Sequence, residues 1–260
     1  MDFTSVTLTR PEPLVALAVH NGHQLRPAVA SRMVLDSETR RREEDSHTDY
    51  FARRIPNNVV VNRSRFEVDL NRPRDEAIYC VPDDAWGLDM YVEPLPAEVV
   101  SVSLREYDQF YDRLRTVLDT MVQQHGGFVL YDIHSYNHRR SGPESEPEPE
   151  VANPTVNLGT ASLPRKWRDV ADTFLDHLGS ASLRGEKLDV RENVKFEGRQ
   201  VAAWTHENYG EYGCALAIEF KKVFMDEWTD HVDRATQAYL ADSLVGTIAP
   251  VLKSWERSCQ

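Results

Sequence analysis

Two apolar segments of the chain end abruptly in residues that can bind a metal ion. Residues 14–19 lead into His20, and residues 127–131 lead into Asp132 and His134. Buried strands deliver polar side chains to the edge of a sheet in this way, and parallel strands bring their carboxyl ends to the same edge. The two histidines therefore predict one shared metal site.

The remaining ligands must come from nearby histidines or acids, because catalytic zinc usually takes three protein ligands and keeps one position open for water. His23 follows His20 across an Asn-Gly pair, which is typical of a tight turn that keeps the two rings close. A charged segment, residues 36–49, contains Asp45, our first choice for the acid ligand. The substitutes for it are Glu44, Asp49 and His23. The competing interpretation makes this segment a solvated helix or loop.

A third apolar segment, residues 214–220, carries Glu219 where a buried strand should stay apolar. Burying a carboxylate is costly unless a metal ion or another partner compensates it. Glu219 is therefore our candidate general base, which takes a proton from water and passes it to a leaving amine. Zinc lowers the pKa of bound water from about 15.7 to about 7 and polarises carbonyl groups. Together these groups predict hydrolysis of an amide.

A further segment predicts how a substrate is held. Hydrophobic and polar residues alternate through residues 65–71, which indicates a strand with one apolar face. Asn71 and Arg72 stand at its end, where an amide and a guanidinium fork can hold a substrate carboxylate. We assign Arg72 to both binding and catalysis, with Arg65 as a further substrate-binding residue. The competing interpretation is a structural salt bridge from Arg72 to a neighbouring acid such as Asp69.

The segments between these residues predict an α/β fold. Apolar residues recur at helical spacing from residue 105 to 125, directly before the strand that carries the second histidine. Strand, helix and strand in this order favour parallel packing. Residues 164–178 and 227–255 predict further helices, the last one with a break near Gly246 or Pro250.

Composition indicates an ordinary globular protein. The 260 residues are enough to bury a full core, and 41% of them are hydrophobic while 28% are charged. We expect a single domain over residues 1–260. Alternating proline and glutamate within residues 137–155 disfavour compact structure, so we expect a mobile acidic loop there.

Charge and hydropathy exclude several classes of partner. The formal net charge of −12 repels nucleic acid and anionic membranes. No apolar segment approaches the about 20 residues that span a bilayer. The first residues lack the basic start and apolar stretch of a signal peptide. We therefore expect no nucleic-acid or membrane partner and a cytoplasmic location, and the oligomeric state stays open.

Four segments, in this order along the chain, resemble the N-formylglutamate amidohydrolase family. They are His20-Asn21-Gly22, Ser64 to Pro73, Asp132-Ile133-His134-Ser135 and Ala217 to Glu227. The resemblance implies a zinc-carboxypeptidase-like three-layer α/β fold, with a mixed, mostly parallel sheet between helices. It also implies one zinc ion and hydrolysis of an N-acyl amino acid such as N-formylglutamate.

Two features depart from the family pattern. The wider superfamily begins its first metal motif as His-x-x-Glu, whereas His23 occupies the fourth position here. Lys221 and Lys222 follow the strand glutamate, where formylglutamate hydrolases usually have Asn-Arg. The alternatives are a zinc carboxypeptidase or deacylase that acts on a peptide, and a non-catalytic binding protein stabilised by metal. Either enzyme would take a small substrate that carries a carboxylate.

Overall fold

A seven-stranded sheet organises the part of the chain described by this computed structural model, residues 3–9 and 12–260. The strands are β1 (Thr4–Thr7), β2 (Leu14–Ala18), β3 (Asn58–Val61), β4 (Phe128–Tyr136), β5 (Val156–Gly159), β6 (Ser182–Leu183), β7 (Glu186–Lys187), β8 (Val190–Glu192) and β9 (Gly213–Lys221). The sheet order is β1-β3-β2-β4-β9-β5-β8, and β6 pairs with β7 separately. Strands β3, β2, β4 and β9 run parallel, while β1 and β5 are antiparallel to β3 and β9.

Helices cover both faces of this sheet. They are α1 (Pro27–Ala30), α2 (Ser37–Glu43), α3 (Thr48–Arg53), α4 (Ala97–His125), α5 (Arg168–Gly179), α6 (Gln200–Tyr209), α7 (Arg234–Gly246) and α8 (Ile248–Ser258). Successive strand residues point to opposite faces, so Leu14 packs with α3, α5, α7 and α8, whereas Val15 packs with α4 and α6. The predicted α/β fold, with a mixed and mostly parallel sheet between helices, is confirmed.

The central strands are buried along their whole length. Every residue of β2 and β4 is buried, including Asp132 and His134 within β4. Continuous apolar sequence is typical of parallel strands that helices cover on both sides. Asp132 and His134 therefore lie inside the protein, near the carboxyl end of the sheet.

Most of the predicted helices form, with shifted ends. Helix α4 begins at Ala97, earlier than the periodic pattern predicted. The C-terminal helix begins only at Arg234, and its predicted break lies between Gly246 and Ile248. Among the described residues, no helix is long and apolar enough to cross a membrane.

The prediction of a strand at residues 65–71 is wrong, because this segment forms turns. The backbone N–H groups of Glu67 and Val68 both donate to the carbonyl of Ser64, at 3.0 and 3.3 Å. Apolar Val68 and polar Asp69 are both buried, so the alternation of residue types does not correspond to one buried face and one solvent-exposed face. The polar side chains of this segment instead point into the interior, beside the carboxyl ends of the central strands.

The acidic segment 137–155 contains bends and one short 3₁₀ turn. The start of this segment is fixed to the rest of the protein, because the backbone N–H groups of His138 and Arg139 donate to the buried carboxylate of Glu227 at 2.8 and 2.9 Å. The N–H of Glu148 also donates to the carbonyl of His138. The mobility of this loop and the single-domain organisation stay predictions.

Gly22 allows the chain after β2 to lie directly against residues 62–63. A Cβ atom added there would collide with the main chain of Asn62 and Arg63, whereas one added to Gly246 would meet nothing within 4 Å. We predict that Gly22→Ala lowers the free energy of unfolding by about 1–3 kcal/mol, as overpacking does. Gly246→Ala should stay within about 0.5 kcal/mol of wild type. Urea denaturation measures both, and equal stability of the two variants would contradict the close approach.

Candidate active site

A cavity opens at the carboxyl ends of the parallel strands β2, β4 and β9. His20 follows β2, His134 lies in β4, and Glu219 lies in β9. The strand register pairs the Cα atoms of His134 and Glu219. Asp45 comes from the turn between α2 and α3, and its backbone N–H donates to the carbonyl of His20 at 3.1 Å. All four side chains line the cavity.

His20, Asp45 and His134 bring one potential ligand atom each to within 4.8 Å of one another. Oδ2 of Asp45 lies 2.9 Å from Nδ1 of His134 and 3.5 Å from Nδ1 of His20. Burial acts to raise the pKa of Asp45, but hydrogen bonds with His134 and His20 lower it below the usual range. The acid is therefore ionised, as a metal ligand must be.

The second nitrogen of each imidazole faces a carboxylate. Nε2 of His20 lies 2.6 Å from Oδ1 of Asp69, and Nε2 of His134 lies 3.1 Å from Oδ1 of Asp132. Metal-binding histidines typically donate their other N–H to such a carboxylate, which fixes the tautomer and the ring orientation. Neither oxygen of the buried Asp132 has a well-formed hydrogen bond in the described chain. This donor set fits a divalent ion such as zinc.

No prediction from the sequence made Asp69 or Asp132 a carboxylate that backs an imidazole. Asp132 precedes His134 by two residues in one strand and therefore lies on the same face, which was a usable signal. Asp69 has no comparable signal, because its segment forms turns, where spacing along the chain does not show which way a side chain points.

His23 lies apart from the group of three. Its Nδ1 is 2.6 Å from Oε2 of the buried Glu44, and its Nε2 is 2.8 Å from the hydroxyl of Ser37. Glu44 in turn accepts from the hydroxyl of Ser64, and the side chain of Asp49 pairs with Arg53. The substitutes considered for Asp45 are thus engaged with other partners.

The two arginines assigned to the substrate line the cavity and converge on Asp69. Nη2 of Arg65 donates to Asp69 at 2.9 Å, and its Nε donates to the hydroxyl of Tyr79 at 3.1 Å. Arg72 donates to the carbonyl of Asp84 at 2.6 Å, and its Nε lies 3.6 Å from Oδ2 of Asp69. Arg72 therefore makes the structural salt bridge considered above while it also borders the cavity.

Asn71 is oriented by the start of α6. Its side-chain oxygen accepts from the backbone N–H of Val201 at 2.9 Å, so its amide nitrogen faces Nε2 of His134 at 3.3 Å. The carboxylate of Glu219 has no hydrogen-bond partner among the residues described, and burial raises its pKa to about 7. The candidate base thus stands free at the wall of the cavity.

The rim contains further residues that the sequence did not reveal. Arg140 donates to Glu43 at 3.1 Å and, like Arg65, lies over the ring of Trp86. Arg199 is exposed, and in the described residues its side chain has no hydrogen bond or ion pair. These side chains come from irregular segments and a helix end, so no periodic pattern marks them.

Comparison with known proteins identifies the family. A sequence profile for N-formylglutamate amidohydrolase matches residues 12–225 of this chain. The chain belongs to the N-formylglutamate amidohydrolase family. The resemblance found in the sequence is thereby confirmed, and the chain is a member of a hydrolase family. A search of curated proteins gave no significant match.

Two crystal structures share the fold of this family member. N-formylglutamate amidohydrolase from Ralstonia eutropha is 19% identical and aligns over 99% of this chain and 98% of its own, with a TM-score of 0.74. A gene product from Agrobacterium tumefaciens is 18% identical and aligns over 97% of this chain and 96% of its own, with a TM-score of 0.67. Both alignments therefore extend over nearly the whole chain.

We predict that His134→Ala binds zinc more weakly than wild type, because one of three candidate ligand atoms is removed. The loss in zinc affinity should exceed the about 10- to 100-fold that removal of an outer partner typically costs. His23→Ala is the matched control and should bind zinc nearly as wild type does. Zinc content after dialysis and competition with a chromophoric chelator measure both. Equal losses in the two variants would place His23 among the ligands.

Proposed function

We propose that the chain is a metal-dependent amidohydrolase that cleaves an N-acyl amino acid such as N-formylglutamate. The observation that carries this proposal is the placement of an unpartnered carboxylate, Glu219, at the same cavity as His20, Asp45 and His134. Family membership supports the reaction class. Three candidate ligands, rather than four, support a catalytic site over a structural one.

The candidate ligands would hold one divalent ion, for which zinc is our choice because imidazole and carboxylate suit it. When bound, zinc supplies Lewis-acid activation of a water molecule and of the amide carbonyl. The protein's own contribution is orientation. Asp69 is hydrogen-bonded to the outer nitrogen of His20, and Asp132 faces that of His134, while both Nδ1 atoms are directed toward Asp45.

Glu219 would carry the proton through the reaction. The attacking water gives a proton to a Glu219 oxygen while the water oxygen bonds to the acyl carbon. The C–N bond then breaks, and Glu219 returns the proton to the leaving nitrogen. The products are a carboxylic acid and a free amino acid. For a formyl substrate the acid is formate.

The cavity cations would hold the carboxylates of the substrate. Asn71 lies beside His134 and Arg72 lines the same cavity, so the two would bind the α-carboxylate close to the scissile amide. Arg65 lies 3.7 Å from Asp45 and would stabilise charge that develops on the attacked oxygen. Arg199 stands free at the rim and would bind a second, side-chain carboxylate. A glutamate derivative supplies both carboxylates.

We predict that the protein with zinc hydrolyses N-formylglutamate and that a chelator stops it. Glu219→Gln should keep zinc but lose about 10²- to 10⁴-fold in kcat, because the proton carrier is gone. Glu256→Gln, an exposed change on α8, should keep full activity. Formate release and zinc content are measured together. Full activity in Glu219→Gln would remove the base assignment, and release of C-terminal residues from peptides alone would favour the carboxypeptidase alternative.

Substrate variants separate the roles of the two arginines. Arg199→Ala should raise KM for N-formylglutamate by about 10- to 100-fold, since a charged hydrogen bond contributes about 1.5–3 kcal/mol. It should hardly change KM for N-formylglutamine, which lacks the second charge. Arg72→Ala should raise KM for both substrates. If Arg199→Ala leaves the KM for N-formylglutamate unchanged, Arg199 does not bind the side-chain carboxylate of the substrate.

A further inference from the structure

We propose that Lys222 is a positioning residue that fixes Asp45 for metal binding from the end of β9. The inference rests on the proposed ion site, but it concerns a side chain to which that function gives no role. Lys222 directly follows β9 and also lines the cavity. Its side chain is only 1% exposed, so its ammonium group must find partners inside the protein.

The partners of Lys222 are two main-chain carbonyls on either side of Glu43. Its Nζ donates to the carbonyl of Arg42 at 2.6 Å and to that of Glu44 at 2.9 Å. These carbonyls lie at the C-terminal end of α2, where the last carbonyls of a helix have no donor within the helix. A cation there supplies the missing donors and interacts favourably with the helix dipole.

The position of Asp45 depends on this contact, because Asp45 is the residue directly after Glu44. Its side chain must bring Oδ2 to 2.9 Å from Nδ1 of His134. A shift of the Glu44 carbonyl would turn the peptide that joins the two residues and move the carboxylate of Asp45. Lys222 therefore acts on the candidate ion site through the main chain, without touching the ion.

The contact also links two parts of the site that are distant in sequence. Strand β9 carries Glu219, and three residues later Lys222 holds the chain that carries Asp45. The backbone N–H of Lys222 donates to the carbonyl of Tyr136 at 3.0 Å, at the end of the strand that contains His134. The end of strand β9 therefore positions both the candidate base, Glu219, and the candidate acid ligand, Asp45.

The test compares Lys222→Met with Lys221→Met. Both changes remove an ammonium group that donates to a main-chain carbonyl, but Lys221 donates to Asn153, away from Asp45. We expect Lys222→Met to lose about 10- to 100-fold in zinc affinity, the usual cost of removing a group that orients a ligand. Lys221→Met should bind zinc within about twofold of wild type. Zinc affinity is measured by chelator competition, and thermal unfolding of the metal-free variants is measured alongside.

The outcomes separate positioning from simple stabilisation. A lower melting temperature without weaker zinc binding in Lys222→Met would overturn the inference and leave Lys222 as a helix cap only. If Lys222→Met does not fold, Lys222→Gln takes its place: the shorter, neutral side chain cannot hold both carbonyls as the ammonium group does, so we expect weaker zinc binding, and a folded Gln variant that binds zinc as tightly as wild type would overturn the inference. Wild-type protein that binds no zinc would instead remove the proposed ion site, which is a distinct result.

Discussion

The parallel pairing of β4 with β9 is the constraint on which the site depends. Its register puts His134 beside Glu219 inside a sheet that helices cover on both faces. Polar groups in such a position are costly unless neighbouring groups compensate them. The adjacent strand β2 brings His20 to the same edge, and the turn after α2 adds Asp45. A small buried polar cluster thus interrupts the mainly apolar central strands.

Charge balance within this cluster is consistent with a cation. Asp69 is compensated by Arg65 at 2.9 Å and by the hydroxyl of Tyr79. The carboxylate of Asp132 has only the nearby imidazole of His134, and the carboxylate of Glu219 makes no hydrogen bond among the described residues. Carboxylates that share a buried site repel one another unless positive charge separates them. A divalent ion between the imidazoles and Asp45 would supply that charge, so that metal binding and folding stability would be coupled.

Hydrophobic patterning in the sequence was sufficient to predict the central strands β2, β4 and β9 and the polar residues that they carry. His20, His134 and Glu219 each interrupt or end an apolar run, and this signal survives because parallel strands are buried on both faces. The same logic failed at residues 65–71. There the alternation resembled a half-buried strand, but turns bury both sets of side chains. Periodicity reports burial faithfully only where the backbone is regular.

No sequence pattern predicts the residues that reach the cavity from irregular segments. Arg199 and Arg140 reach the cavity rim from a helix end and a loop, so their spacing along the chain carries no information on proximity. The histidines and Glu219, by contrast, stand on or directly after strands. Groups that react must be held within fractions of an ångström, and rigid strands do this better than loops. Asp45 is the exception, a ligand candidate carried by a turn, and the bonds from Lys222 give that turn the rigidity of the adjoining strand.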